Sequence, residues 1–248
     1  MKAKRRIWVI GALVVAVLMV IGYVGDEKAG RDDEATPAPS APVSSTPGAL
    51  HLSGGSLQWL RQPSITVLTG RSDDKRIAMV REAIDFWNGV LQHQKVTFRL
   101  GDMEVKQVQL PRSVLPGYSQ TVLSQSRPGI DTTRVTGNAG GDIVIALADE
   151  AFVSFTLADV KNGQILIGIR SDMTFPLTLP NVGRNVIAHE LGHAIGLQHN
   201  SDPATLMCGR PATCTPDLFA SDEPKWFPLT DSDIAVLRRL YTNWKPAP

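Results

Sequence analysis

The chain has 248 residues, 43% of them hydrophobic, with a formal charge of only +1; this supplies a core for one or two folded domains and excludes a chain disordered throughout. Lys2, Lys4, Arg5 and Arg6 account for four of the 25 basic residues, which leaves 21 against 24 acids and no basic patch for nucleic acid. Cys208 and Cys214 are the only cysteines, which excludes a disulfide-rich scaffold and a four-thiolate zinc ribbon.

Residues 7–25 (IWVIGALVVAVLMVIGYVG) carry no charge. As a helix they span about 28 Å, close to a hydrocarbon core. The KAKRR cluster ahead of them holds the N-terminus in the cytoplasm, so residues 1–25 are predicted to be a single-pass signal anchor with everything beyond on the outside. The alternative is a cleaved signal and a secreted protein, for which Tyr23-Val24-Gly25 offers no good A-x-A cut site. Residues 26–57 are charged and then rich in Pro, Ala and Ser, the composition of a tether. The folded unit is therefore expected over residues 58–248.

Within it, SITVLTG (64–70) predicts a strand. Ile77, Val80, Ile84, Trp87 and Leu91 then mark one face of an amphipathic helix, with Ser72 or Asp73 as its cap. KVTFRLGD (95–102) predicts a second strand. Residues 111–141, dense in Gly, Pro, Ser and Thr, predict a loop in which 118–124 pairs briefly. DIVIALA (142–148) and QILIGIRS (164–171) predict two more strands, the second as an edge that an extended peptide can join. After Pro180 a helix is expected, capped by Asn181 and stopped at Gly196. A last helix opens at Thr230 with a capping-box pattern and presents Ile234, Leu237 and Tyr241. Strand, helix, several strands and two helices make an α+β domain with helices packed on one mixed sheet.

The chemistry sits on the helix after Pro180. His189 and His193 are four apart and project one turn from each other on one face, where they can share an ion. A left-handed Gly196 turns the chain back and brings His199 to the same ion. Three neutral imidazoles suit Zn2+ and leave a coordination position open, the pattern of a catalytic rather than a structural site. Glu190, beside the first ligand, is placed to serve as general base.

These residues, HELGHAIGLQHN, resemble the zinc signature of the metzincin clan at every fixed position. Met207 in DPATLMCG, eight residues after His199, resembles the clan's Met-turn. Within the clan the sequence is most similar to the matrixin catalytic domain, through AIDFWNGVLQHQKVTF, DIVIAL and the closing LTDSDIAVLRRLY, over most of residues 60–244. The resemblance implies a zincin-like mixed β-sheet with packed helices, an active-site helix, one catalytic zinc and hydrolysis of protein or peptide substrates. It further implies that Arg210 lines the pocket for the residue after the scissile bond.

The departures are as informative. Matrixins usually add a structural zinc and calcium, yet the remaining histidines, His51 and His93, are far apart and read as surface residues. Asn138 and Asp142 in GNAGGD are either calcium ligands or an ordinary turn, so calcium is unsupported. No cysteine precedes Cys208, so the family's cysteine latency device has no counterpart. Cys208 and Cys214 form either a short-loop disulfide or a free thiol near the zinc. The expected function is a membrane-bound, extracytoplasmic zinc metalloendopeptidase. A surface zinc-containing binding module without turnover and a non-peptide amide hydrolase of the envelope are the rivals. Oligomeric state is open.

Overall fold

A computed structural model describes residues 20–21, 50–53, 56–124, 132–137, 139–160, 162–209, 212, 214 and 223–246. In chain order the strands are β1 Val20–Ile21, β2 Leu50–Ser53, β3 Ser56–Trp59, β4 Ile65–Thr69, β5 Met103–Gln107, β6 Ile143–Leu147, β7 Phe155–Asp159 and β8 Gln164–Ile169. The helices are α1 Arg76–His93, α2 Val114–Leu123, α3 Thr133–Thr136, α4 Pro180–Ala194 and α5 Asp231–Tyr241. A mixed six-stranded sheet runs in the order β1-β7-β8-β6-β4-β5. β5, β4, β6 and β8 are mutually parallel, and β7 lies antiparallel on β8. The fold is the expected α+β architecture.

β4 and β6 are buried along their whole length because both faces of the sheet are covered. Ile65, Val67, Ile143, Ile145 and Leu147 pack with α1, α4 and α5. The alternate residues Leu68, Val144 and Ala146 pack with Leu115 and Val122 of α2 on the other side. On α1 the predicted stripe is buried at Val80, Ile84, Trp87 and Leu91. The Trp87 indole donates to the Ala188 carbonyl at 2.8 Å, locking α1 to α4 in register.

Several expectations are corrected. The α1 cap is neither Ser72 nor Asp73: Lys75 precedes the helix without a side-chain cap bond, and Asp74 accepts from the Arg76 amide at 3.0 Å. The 95–102 segment alternates as a strand should, with Val96, Phe98 and Leu100 buried, but it lies outside the sheet. Its Leu100 amide bonds Asn88 Oδ1 at 2.8 Å and Phe98 stacks on Tyr241 at 4.0 Å, so the sheet begins only at Met103. Residues 118–124 belong to the helix-bearing stretch of α2 rather than to a strand pairing. Asn181 does not cap α4; Leu179 is the cap residue, with Pro180 beginning the helix, while the Asn181 amide group donates to the Glu223 carbonyl.

The tether expected up to residue 57 ends sooner. β2 and β3 form a hairpin whose Leu50, Leu57 and Trp59 enter the main core. Trp59 donates to the Ala194 carbonyl at 2.8 Å, so the hairpin from residue 50 belongs to the fold and holds the end of α4. The 164–171 strand is interior, between β6 and β7; β7, which the sequence reading missed, has only the two-residue β1 on its other side. Of residues 1–25 only Val20 and Ile21 are described; they are extended and pair in parallel with Leu157 and Ala158 of β7. The rest of the predicted anchor lies outside the described residues, among which no helix is long and apolar enough to cross a membrane.

One polar cluster is buried where α1 meets the sheet. Arg76, 1% exposed, donates twice to Asp74 (2.9 and 2.7 Å) and once each to the Ala148 and Arg170 carbonyls (2.7 and 2.8 Å). Burial pulls the Asp74 carboxyl upward, but the Arg76 bonds outweigh it and hold the group below its ordinary range. Arg76→Ala leaves that carboxylate buried without its main partner and is expected to cost about 3–5 kcal/mol, read as a lower urea midpoint of the full-length chain. A change below about 1 kcal/mol would show that the cluster contributes no more than a surface ion pair.

Candidate metal centre

α4 is buried from Asn181 to Ala194 and runs beneath the sheet. Its close approach needs Gly192: a Cβ there would lie 2.6 Å from Met207 Sδ and 2.9 Å from Trp87 Cζ2. The helix stops as the sequence predicts. Gly196 adopts φ +100°, and an added Cβ would strike the Leu57 carbonyl. The carbonyls left over at this end are met by side chains, Ala194 by Trp59 and Ile195 by the Tyr241 hydroxyl at 3.1 Å.

The turn carries His199 back over the helix end. His189 Nε2 lies 3.1 Å from His193 Nε2 and 3.2 Å from His199 Nε2. These contacts are not hydrogen bonds between the first two rings. His189 Nδ1 bonds the Leu206 carbonyl at 2.6 Å and His193 Nδ1 bonds the Leu197 carbonyl at 2.9 Å. A carbonyl only accepts, so each Nδ1 carries the proton and each neutral ring presents a bare Nε2 lone pair. Burial holds all three rings neutral, pushing His189 down to about 4, His199 down to about 3 and His193 well below its ordinary value.

Lone pairs aimed at one another repel unless a cation lies between them. Tetrahedral zinc with Zn–N of about 2.0–2.1 Å sets its nitrogen ligands roughly 3.3 Å apart, close to the spacing found, and the carbonyl partners at Nδ1 are the usual orienting shell of zinc-binding imidazoles. The donor set therefore fits one zinc ion. Among the described residues these three histidines are the one group of His, Cys, Asp or Glu close enough to share a metal.

Glu190 lies on the same helix and is fully buried. Its Oε2 accepts from the Thr156 hydroxyl at 2.7 Å, while Oε1 has no hydrogen-bond partner. Burial pushes the carboxyl up to about 8, against the opposing pull of the Thr156 bond. A carboxylate desolvated in this way is a strong proton acceptor.

Met207, fully buried, lies under Gly192, and the chain around it orients the ligands. Its carbonyl accepts from the Asn200 amide at 2.9 Å, and the Gly209 amide donates to the Asn200 carbonyl at 3.2 Å. Asn200 also donates to Asp233 Oδ2 (3.1 Å), the carboxylate that completes the α5 capping box with Thr230. Cys208 and Cys214 are joined in a disulfide, so no free thiol faces the metal centre. Asp142 is engaged by Arg61 and by the Ser64 amide and hydroxyl (each 2.8 Å), which accounts for its carboxylate without calcium. Asn138 and Arg210 lie outside the described residues. His51 and His93 are exposed and remote from the centre in the chain.

Residues 178–242 match the family model for matrixin peptidases (Peptidase M10). Over that segment the chain is matrixin-like. The segment carries the three histidines, Glu190 and Met207, and it supports a zinc metallopeptidase. No curated protein matches in sequence. Among solved structures, the fold is similar to metalloproteinase-II from Bacteroides fragilis at 11% identity and TM-score 0.44, covering 79% of this chain and 59% of that one. It is also similar to archaemetzincin from Methanopyrus kandleri at 16% identity and TM-score 0.36, covering 73% and 95%. The chain thus spans less than two thirds of the Bacteroides protein.

Gly209 was not singled out by sequence. A Cβ at this position would overlap the His199 ring, so the third ligand is seated directly on backbone. Gly209→Ala is expected to displace that ring and weaken zinc binding about 10- to 100-fold, as loss of an orienting neighbour commonly does. Competition with a chromophoric chelator measures it; an unchanged affinity would mean that His199 does not need this seat.

Proposed function

We propose that the chain is a zinc-dependent endopeptidase that cuts protein or peptide substrates outside the cytoplasm. The observation that carries the reading is the convergence of three neutral Nε2 atoms beside a buried carboxylate with one oxygen unpartnered. His189, His193 and His199 hold the metal. When bound, zinc supplies a Lewis acid that makes water nucleophilic near neutral pH and polarises a carbonyl. Glu190 takes the proton from the attacking water and returns it to the leaving amine. The Leu206 and Leu197 carbonyls keep the first two imidazoles in the ligating tautomer.

Strand β7, flanked on its outer side only by the two-residue β1, supports peptide recognition. Its outer side accepts an extended backbone at Leu157 and Ala158, as the pairing with Val20–Ile21 illustrates. Location rests on the leading basic cluster and the uncharged residues 7–25, which support a retained anchor. Anchoring and the β1–β7 pairing exclude one another at Val20 and Ile21, so a chain seated in the bilayer exposes the whole β7 edge.

Full-length protein purified in detergent and loaded with zinc is expected to hold one ion and to cleave members of a peptide library. Glu190→Ala keeps the ion and loses at least about 100-fold in turnover. Wild-type rates in that variant would remove the base from the mechanism, and peptide binding without any cleavage would favour the binding-module reading instead.

Protease added to intact cells or spheroplasts is expected to strip the domain while a fragment containing the N-terminus stays with the membrane. Protection of the domain in both preparations contradicts an outside location, and a mature N-terminus near residue 26 replaces the anchor by a cleaved signal.

A further inference from the structure

We infer that Thr156 positions the general base Glu190 and couples it to the strand on which a peptide would lie, an inference that rests on the endopeptidase reading. β7 alternates in the usual way: Phe155 and Leu157 face the cluster that includes Leu115 and Val122, and Thr156 faces α4. Ala158, the next residue on the α4 side, packs against the main core. Thr156 is therefore a hydroxyl, fully buried, on a strand face where an apolar side chain of the same shape would pack as well.

A buried hydroxyl is retained at a cost unless its bonds are made. The Thr156 bonds go to a single residue: Oγ1 lies 2.7 Å from Glu190 Oε2 and 3.0 Å from the Glu190 carbonyl oxygen. The hydroxyl has one proton, and the carboxylate is the nearer and more strongly accepting partner. The contact fixes the carboxylate at Oε2 and leaves Oε1 as the oxygen without a partner. Oε1 is the atom free to take a proton, and its position follows from the bond at Oε2.

The same residue reaches the substrate side through its backbone. Thr156 pairs with Ile167 of β8, and the two residues that follow it, Leu157 and Ala158, are those whose outer edge pairs with an extended segment. One residue thus sets the rotamer of the base and belongs to the strand that would align the peptide. Nothing else that is described bonds the Glu190 carboxylate. Thr156 touches neither the metal nor the reacting atoms, and it acts through Glu190.

The test compares full-length, zinc-loaded wild type with Thr156→Val, Thr156→Ser, Glu190→Gln and the Thr156→Val/Glu190→Gln double variant. Thr156→Val removes the bond at nearly constant shape and is expected to lower kcat about 10- to 100-fold, with KM and zinc content within about twofold of wild type. Thr156→Ser restores most of kcat. In the Glu190→Gln background the Val substitution adds nothing, because the two residues act as a unit. Independently of turnover, the infrared carboxyl and carboxylate bands of metal-free protein are expected to shift between wild type and Thr156→Val and not between the two Glu190→Gln forms.

Wild-type kcat in Thr156→Val, or failure of Ser to rescue it, overturns the inference. So does a rise in KM at constant kcat, which would place Thr156 in the substrate strand alone. Should Thr156→Val not fold, Thr156→Ala with the infrared comparison decides the same point. The endopeptidase reading fails separately: wild type then cuts no peptide, or Glu190→Gln cuts as fast as wild type, whatever Thr156 does.

Discussion

Three imidazole Nε2 atoms brought to one point are the constraint on which the centre depends. Bare Nε2 atoms of His189 and His193 lie 3.1 Å apart in a buried setting, which is unfavourable without a cation. Rotation is prevented by backbone. The Leu206 carbonyl holds His189, the Leu197 carbonyl holds His193, and Gly209 admits the ring of His199. Each of these is fixed in turn by elements distant in sequence. The Leu206 amide is bonded to the Pro228 carbonyl, Asn200 is tied to α5 through Asp233, and the end of α4 is held by Trp59 and Tyr241. The hairpin and the last helix are thus part of the metal centre although neither supplies a ligand.

What the sequence made legible follows from which signals are local. α1, α4 and α5 show a helical stripe or a cap within a few residues, and β4, β6 and β8 show dense apolar runs. β7 was missed because FTLAD is buried over its first three residues, half-buried at its end and followed by a turn, so neither period stands out. Residues 95–102 mislead for the opposite reason. Val96, Phe98 and Leu100 alternate toward a core, yet alternation reports burial of one side and says nothing about which backbone groups pair. α2 lay hidden in a Gly- and Pro-containing stretch whose helix is held by packing on the far face of the sheet.

The site divides the same way. His189, Glu190, His193 and His199 lie within eleven residues, and spacing alone brings them together. Thr156 reaches Glu190 from 34 positions away through one oxygen, and the Leu206 carbonyl carries no side-chain signature at all. Carboxylates illustrate the limit in reverse. In sequence Asp142 reads either as part of a turn or as a cation ligand, and it is paired with Arg61, while Asp74, Asp149 and Asp172 gather around Arg71 and Arg76. A guanidinium does for these groups what a divalent cation does elsewhere, with bidentate bonds in place of coordination, and only the fold reveals which cation was chosen.

The sheet order has a consequence for the kind of substrate that the proposed activity admits. β7 is antiparallel on β8, its inner face touches the helix that bears the histidines, and its outer edge is where a backbone can add. Strand addition at Leu157 and Ala158 requires several residues in extended conformation with their own amides and carbonyls unpaired. A helix fails this requirement because its backbone is already bonded, and an interior strand of another sheet fails it too. Segments that meet it are unfolded chains, loops and linkers. The chain's own N-terminal residues Val20 and Ile21 meet it, and they pair in parallel with β7. Residue identity at the outer positions matters less there than backbone availability, since ladder bonds are made by groups that every residue except proline possesses in full. Under the proposed activity, the substrates that fit this strand are unstructured stretches of larger proteins.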